Sequence, residues 1–165
     1  IAQARIARRY FDERNIKFDH AYAATSERAS DTLELITELP YKRLKGLKEW
    51  NFGKFEGESE DLNPKLPYGD FFVAYGGEGE MEMRQRVADT VMEIMRQDGH
   101  ESVLVVSHGA SVRQFQRYWA HTSNVDQKSK IGNCCIFKDS FENDVFTLLE
   151  IINHDFSELN QALFT

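Results

Sequence analysis

The chain has 165 residues, 41% of them hydrophobic and 28% charged, with a net charge of −7 at pH 7. That length suits one domain with a sizeable core, and the composition is that of an ordinary globular protein. The acidic balance disfavours a broad nucleic-acid or anionic-membrane surface, which needs a basic excess, but it leaves room for a small basic pocket.

The chain starts inside a helical pattern. Ile6, Ala7, Tyr10 and Phe11 recur at helical spacing, so residues 1 to about 14 read as a helix. Ile1-Ala2-Gln3-Ala4 shows neither an initiator Met nor a cap, and the reading expects a strand and loop before it. Phe18 to Thr25 reads as a short buried strand. From Glu27 the pattern turns helical, with Ala29, Leu33 and Ile36 on one face, and Pro40 is expected to stop it. Residues 41–79 are irregular and glycine-rich, with the acidic patch Glu56, Glu58, Glu60 and Asp61, and one short helix at most is expected there.

Met83, Val87, Val91, Ile94 and Met95 form an apolar stripe, so about 80–97 reads as a helix with methionine as core filler. Val103–Val106 is a continuous apolar run, the pattern of a strand buried on both faces. A helix follows, with Val112, Phe115 and Trp119 on one side. Asn133–Lys138 and Val145–Ile152 flank Ser-Phe-Glu-Asn-Asp, which suggests a hairpin, and the last dozen residues read as a tail or covering segment. The adjacent Cys134 and Cys135 would point to opposite sides of a strand, so two reduced, partly buried thiols are expected rather than a bridge or a zinc site. With no membrane-length apolar run and no signal peptide in view, the expected location is cytoplasmic.

Alternating helices and strands argue for an α/β layer fold with a largely parallel sheet and an antiparallel pair near the end. Such sheets bind ligands outside the carboxyl ends of their strands. Two segments reach that edge, Thr25-Ser26-Glu27-Arg28 and Ser107-His108-Gly109. His108 follows a buried strand, Gly109 lets backbone approach a ligand, and the N–H groups of Gly109 and Ala110 open a helix whose positive end suits an anion. Alone, such a histidine also reads as a strand end held by one hydrogen bond. Arg28 lies one turn into the other helix, where a guanidinium fork matches phosphate oxygens or pairs with Glu27 or Asp31. Glu49 sits in an aromatic and glycine-rich loop, where apolar surroundings would raise a carboxyl pKa as a proton donor requires. On its own it is one acidic residue among 27.

Together these residues resemble the histidine phosphatase superfamily, the phosphoglycerate mutase-like family. Thr25 to Thr32 (TSERASDT) resembles its S-x-x-x-R-A-x-x-T segment. Leu47 to Gly57 (LKEWNFGKFEG) resembles L-x-E-x-x-x-G-x-x-E-G, and VVSHGASVR resembles V-x-H-G-x-x-x-R. Gly76 to Arg86 matches the family's G-G-E-S region more weakly. The resemblance implies a three-layer α/β fold, mostly parallel, with helices on both faces. It also implies Arg28 as phosphate ligand, Glu49 as proton donor and His108 as the second active-site histidine, with Gly109 and Ala110 at the substrate.

One motif departs from the family pattern. No Arg-His-Gly occurs in the sequence, and in the family that motif carries the nucleophile. The expectation is that it lies upstream of Ile1 and that this chain alone is inactive. The implied reaction is phosphoryl transfer through phosphohistidine on a small phosphorylated metabolite, without metal or cofactor. Only 58 residues lie between Glu49 and His108, and the residues around Gly57 are acidic, so a phosphatase is favoured over a mutase holding a bisphosphate. Phe52, Phe55, Phe71, Phe72 and Tyr75 either line the leaving-group side or pack. The alternatives are a phosphoglycerate mutase, a non-catalytic phosphate-binding homologue, or a hydrolase using Ser107 or Ser111 as nucleophile.

Overall fold

The structure is a computed structural model that describes residues 1–127, 132 and 134–154. Helix α1 (Ala2–Glu13) turns Ala4, Ala7 and Phe11 inward, the spacing of one helical face. Strand β1 (His20–Ala23) is shorter than the expected 18–25, because Phe18 leaves the ladder to pack edge-on against Phe11. Helix α2 (Glu27–Ile36) is capped by Ser26, whose Oγ accepts the Ala29 N–H. It ends at an extended Thr37, before Pro40. There the Thr37 hydroxyl accepts the Leu39 N–H, so a local side-chain turn stops the helix ahead of the proline ring.

Strand β2 (Lys42–Arg43), unforeseen in the sequence, adds parallel to β1. Helix α3 (Glu80–Met95) buries Met83, Val87 and Ile94 as its stripe requires. Strand β3 (Val103–Val106) pairs in parallel with β1, Ala23 opposite Val106, and helix α4 (Gly109–Tyr118) follows directly. Strands β4 (Ile136–Glu142) and β5 (Val145–Ile152) form an antiparallel hairpin. Its turn is Asn143-Asp144, both at positive φ, as a two-residue hairpin loop demands. Asn133 and residues 155–165 lie outside the described residues, and so does the expected C-terminal tail.

The parallel sheet runs β2-β1-β3. Alternation along β1 separates its two faces. Ala21 and Ala23 meet Phe11, Leu33 and Leu104 on the side of α1 and α2. Tyr22 and Ala24 meet Leu47 and Ile94 on the side of α3. This is the expected layered α/β arrangement. One expectation needs correction: in β3 only Leu104 is buried and its neighbours are half-buried. Among the described residues β3 has a strand partner on one edge only, so its flanks are less enclosed than an all-apolar run implies.

A third core of Trp50, Phe72, Met83, Val87, Phe115, Trp119 and Phe146 ties α3, α4 and β5 to the irregular stretch. That stretch forms 3-10 turns at Lys45–Leu47, Gly53–Phe55, Glu60–Leu62 and Phe71–Tyr75, not one short helix. Cys134 and Cys135 are free and half-buried, and burial pushes both thiols up, which keeps them protonated. Among the described residues no helix is long and apolar enough to cross a membrane.

Candidate active site

Strands β1 and β3 are parallel neighbours, so their carboxyl ends deliver Thr25-Ser26 and Ser107-His108 side by side. The helices that follow point their N-termini at the same place. An open cleft of about 450 Å³ lies there, lined by Thr25, Ser26, Lys48, Glu49, Trp50, Asn51, Glu56 and His108. His108 is the N-cap of α4, and its ring is held from both sides. Arg28 Nη2 lies 3.4 Å from Nδ1, and Ser26 Oγ lies 3.2 Å from Nε2. Arg28 forms no ion pair with Glu27 or Asp31, so its exposed guanidinium is spent on the histidine. Burial, aided by the Arg28 charge and opposed by Glu49, holds the imidazole below its ordinary pKa, so the ring is neutral at pH 7. Of the three residues predicted from separate motifs, Glu49 and His108 thus line one cleft, and Arg28 touches the His108 ring. Gly109 and Ala110 follow His108 in the first turn of α4, where orphan N–H groups belong.

Glu49 reaches the cleft on a segment that has no strand partner. Its backbone carbonyls are captured by side chains instead. Arg86 donates to the carbonyls of Gly46 (2.8 Å), Lys48 (3.1 Å) and Glu49 (3.3 Å). Ser107 Oγ donates to the Leu47 carbonyl, and Ser111 Oγ to that of Lys48 at 2.8 Å. Arg86 is fixed in turn by Glu78, at 2.6 and 3.2 Å. Glu78 is buried and also accepts the Asn51 N–H, while its carbonyl takes the Trp50 indole N–H. Satisfying every carbonyl is what lets an irregular segment stay ordered under the cleft.

These contacts dispose of a serine nucleophile. The Ser107 and Ser111 hydroxyl protons point at backbone carbonyls, and Ser111 is fully buried. Both serines hold the Leu47–Lys48 backbone, next to Glu49, in place. The structure also settles the aromatic residues. Phe72 is fully buried, Phe52, Phe55 and Phe71 pack edge-to-face around it, and the more exposed Tyr75 packs edge-on against Phe55. None of the five is among the residues lining the cleft, to which Trp50 contributes. Gly53 adopts φ +58°, and a side chain there would strike the Tyr75 carbonyl, so the motif glycine is dictated by close backbone packing.

Sequence reasoning missed Ser26 as a partner of His108, and it missed the two serines as braces. Their only signal was the Ser-x-x-x-Ser spacing around His108. Arg86 and Glu78 were signalled weakly, by the Gly-Gly-Glu match.

The sequence model of the histidine phosphatase superfamily (branch 1) matches residues 1–154. The chain belongs to that superfamily. No curated protein matches it in sequence. Among solved structures it is similar to a phosphoserine phosphatase mutant from Entamoeba histolytica in complex with phosphoserine. The TM-score is 0.72 at 22% identity, over 91% of this chain and 80% of that one. It is similar to a phosphoglycerate mutase from Bacillus anthracis, with TM-score 0.72 and 22% identity, over 89% and 76% of the two chains. A mycobacterial glucosyl-3-phosphoglycerate phosphatase gives 0.65 at 16% identity, over 89% and 82%. At these identities the likeness is one of fold.

Proposed function

We propose that this chain supplies the phosphate-holding and proton-donating walls of a phosphomonoesterase that acts on small phosphorylated metabolites through a phosphohistidine. The observation that carries the reading is that His108 and Glu49 line one cleft between two helix N-termini, with Arg28 holding the His108 ring. In this reading Arg28 and the N–H groups of Gly109 and Ala110 hold the equatorial phosphoryl oxygens and offset charge in the transition state, with the neutral His108 beside them in the phosphate pocket. Glu49 protonates the leaving alkoxide and then activates water. Of the five histidines only His108 lines the cleft. The attacking histidine is therefore assigned to an Arg-His-Gly segment, which residues 1–165 do not contain.

The carboxylate of Glu56 at the cleft mouth favours a monophosphate over a bisphosphate, and so a phosphatase over a mutase. A cytoplasmic location fits a metabolite phosphatase and is part of the proposal. The test has two arms. Titration of residues 1–165 with inorganic phosphate should show binding that Arg28→Ala abolishes. Phosphate release from p-nitrophenyl phosphate should appear only when an Arg-His-Gly-bearing segment is present. Absence of phosphate binding sinks the reading. Turnover by residues 1–165 alone would move the nucleophile to one of the histidines present.

A further inference from the structure

The Ser26 hydroxyl has one proton that the fold does not use. Its oxygen accepts the Ala29 N–H at 3.2 Å as the cap of α2, and it lies 3.2 Å from His108 Nε2. Which partner donates in the second contact follows from the other side of the ring. Arg28 Nη2, 3.4 Å from Nδ1, carries only donors. A proton on Nδ1 would set two N–H groups against each other, so Nδ1 is the acceptor. The neutral imidazole then carries its proton on Nε2 and gives it to Ser26. Both acceptor sites of Oγ are filled, and among the described residues nothing accepts its own proton.

Ser26 lines the cleft beside His108, at the positive end of α2. A hydroxyl with saturated lone pairs and an unspent proton is built to donate, and Ser26 places it in the cleft lining. We propose that Ser26 is a phosphate-contacting residue that takes the Nε2 proton of His108 on one side and donates its hydroxyl proton to a phosphoryl oxygen on the other. The two roles are linked. The hydroxyl is free to donate only while His108 holds its proton on Nε2.

This rests on the phosphoryl-transfer reading, and the experiment separates the two. Nitrogen-15 NMR of the His108 ring in residues 1–165 should show Nε2 protonated and Nδ1 bare. A ring protonated on Nδ1 would mean that Ser26 spends its proton on His108, and would overturn the proposal. Inorganic phosphate is the probe for the second half. Ser26→Ala should weaken its binding about tenfold or more, as loss of a hydrogen bond to a charged group does. Ser26→Thr, which keeps the hydroxyl, should restore it. A purely capping role would lower the melting temperature of Ser26→Ala and leave phosphate affinity unchanged, and that result also overturns the proposal. If the unaltered chain binds no phosphate, the phosphoryl-transfer reading itself fails, and the phosphate contact of Ser26 with it.

Discussion

Arg86 grips both carboxylate oxygens of Glu78, at 2.6 and 3.2 Å, and from that anchored position reaches the backbone carbonyls of Gly46, Lys48 and Glu49. The pair is largely enclosed, with side-chain exposures of 20% and 9%. The position of the Glu49 carboxyl is therefore set by a salt bridge that never touches the cleft.

Breaking that pair one-sidedly should be costly. Glu78→Ala leaves the Arg86 charge enclosed without its counter-ion, and a loss of about 3–5 kcal/mol is expected. Urea denaturation measures it. A loss under 1 kcal/mol would mean that the three carbonyls alone satisfy the guanidinium.

Glu49 should reveal its role through the leaving group. An alkoxide needs a proton to depart and nitrophenolate does not. In a turnover-competent protein, Glu49→Gln is expected to lower kcat on an alkyl phosphate such as glycerol phosphate about 100-fold. The loss on p-nitrophenyl phosphate should be far smaller. Equal losses on both substrates would remove Glu49 from proton transfer.

His108→Ala and Arg28→Ala should each cut turnover about 100-fold or more, since Arg28 donates to the phosphoryl oxygens and His108 orients both Arg28 and the Ser26 hydroxyl against them. The two effects should not add, because Arg28 and His108 hold one another in the free protein. A double variant slower by the product of the two single losses would show that the pair acts independently.

Two groups push stability in opposite directions with pH. Burial pushes the Asp139 carboxyl up to about 6, against a hydrogen bond from Gln116 that favours the charged form. A raised acid contributes stability below its unfolded value and loses it as pH climbs through the folded one. The folded state should therefore weaken between about pH 4 and 6 on this account, by on the order of 2–3 kcal/mol. Among the described residues Asp139 Oδ1 and Gln116 Oε1 are both buried acceptors without a donor. Asp139→Asn supplies N–H donors and should flatten that slope, with higher stability at pH 7.5. His108 has the opposite sign: its pKa is depressed, so its contribution is present above the ordinary histidine value and is lost as pH falls through the depressed one. Unfolding curves at pH 4 to 8 for the parent, Asp139→Asn and His108→Gln separate the two. A parental slope surviving in Asp139→Asn would exclude Asp139 as its source.

The sequence disclosed the periodic elements well. The stripe Met83–Val87–Ile94 and the run Val103–Val106 named α3 and β3 nearly to the residue, because burial on one face or in a sheet leaves a period in the chain. Arg28 and His108 were legible for another reason, since each lies at an edge the topology predicts, and Glu49 only through the family likeness of its Leu47–Gly57 segment. What escaped notice was held by single long-range contacts. The Lys48 carbonyl is met by Arg86 and by Ser111, contacts that leave no local pattern. Strand β2 has only two residues, both exposed, too short and too polar for any alternation to show.

The Asn51–Glu78 junction has a consequence for how this fold diversifies. The Glu78 N–H donates to the Asn51 carbonyl at 2.9 Å, and the Asn51 N–H donates to the Glu78 carboxylate, also at 2.9 Å. The excursion between them is thus a closed ring stitched at its neck. Lengthening such a ring costs little chain entropy, about 0.6 kcal/mol per doubling. Its outer arc can be rewritten by insertion or exchange while the neck keeps Glu49 at the cleft beside His108. The outer arc and the Glu49 segment sit on opposite sides of one knot, free to evolve at different speeds.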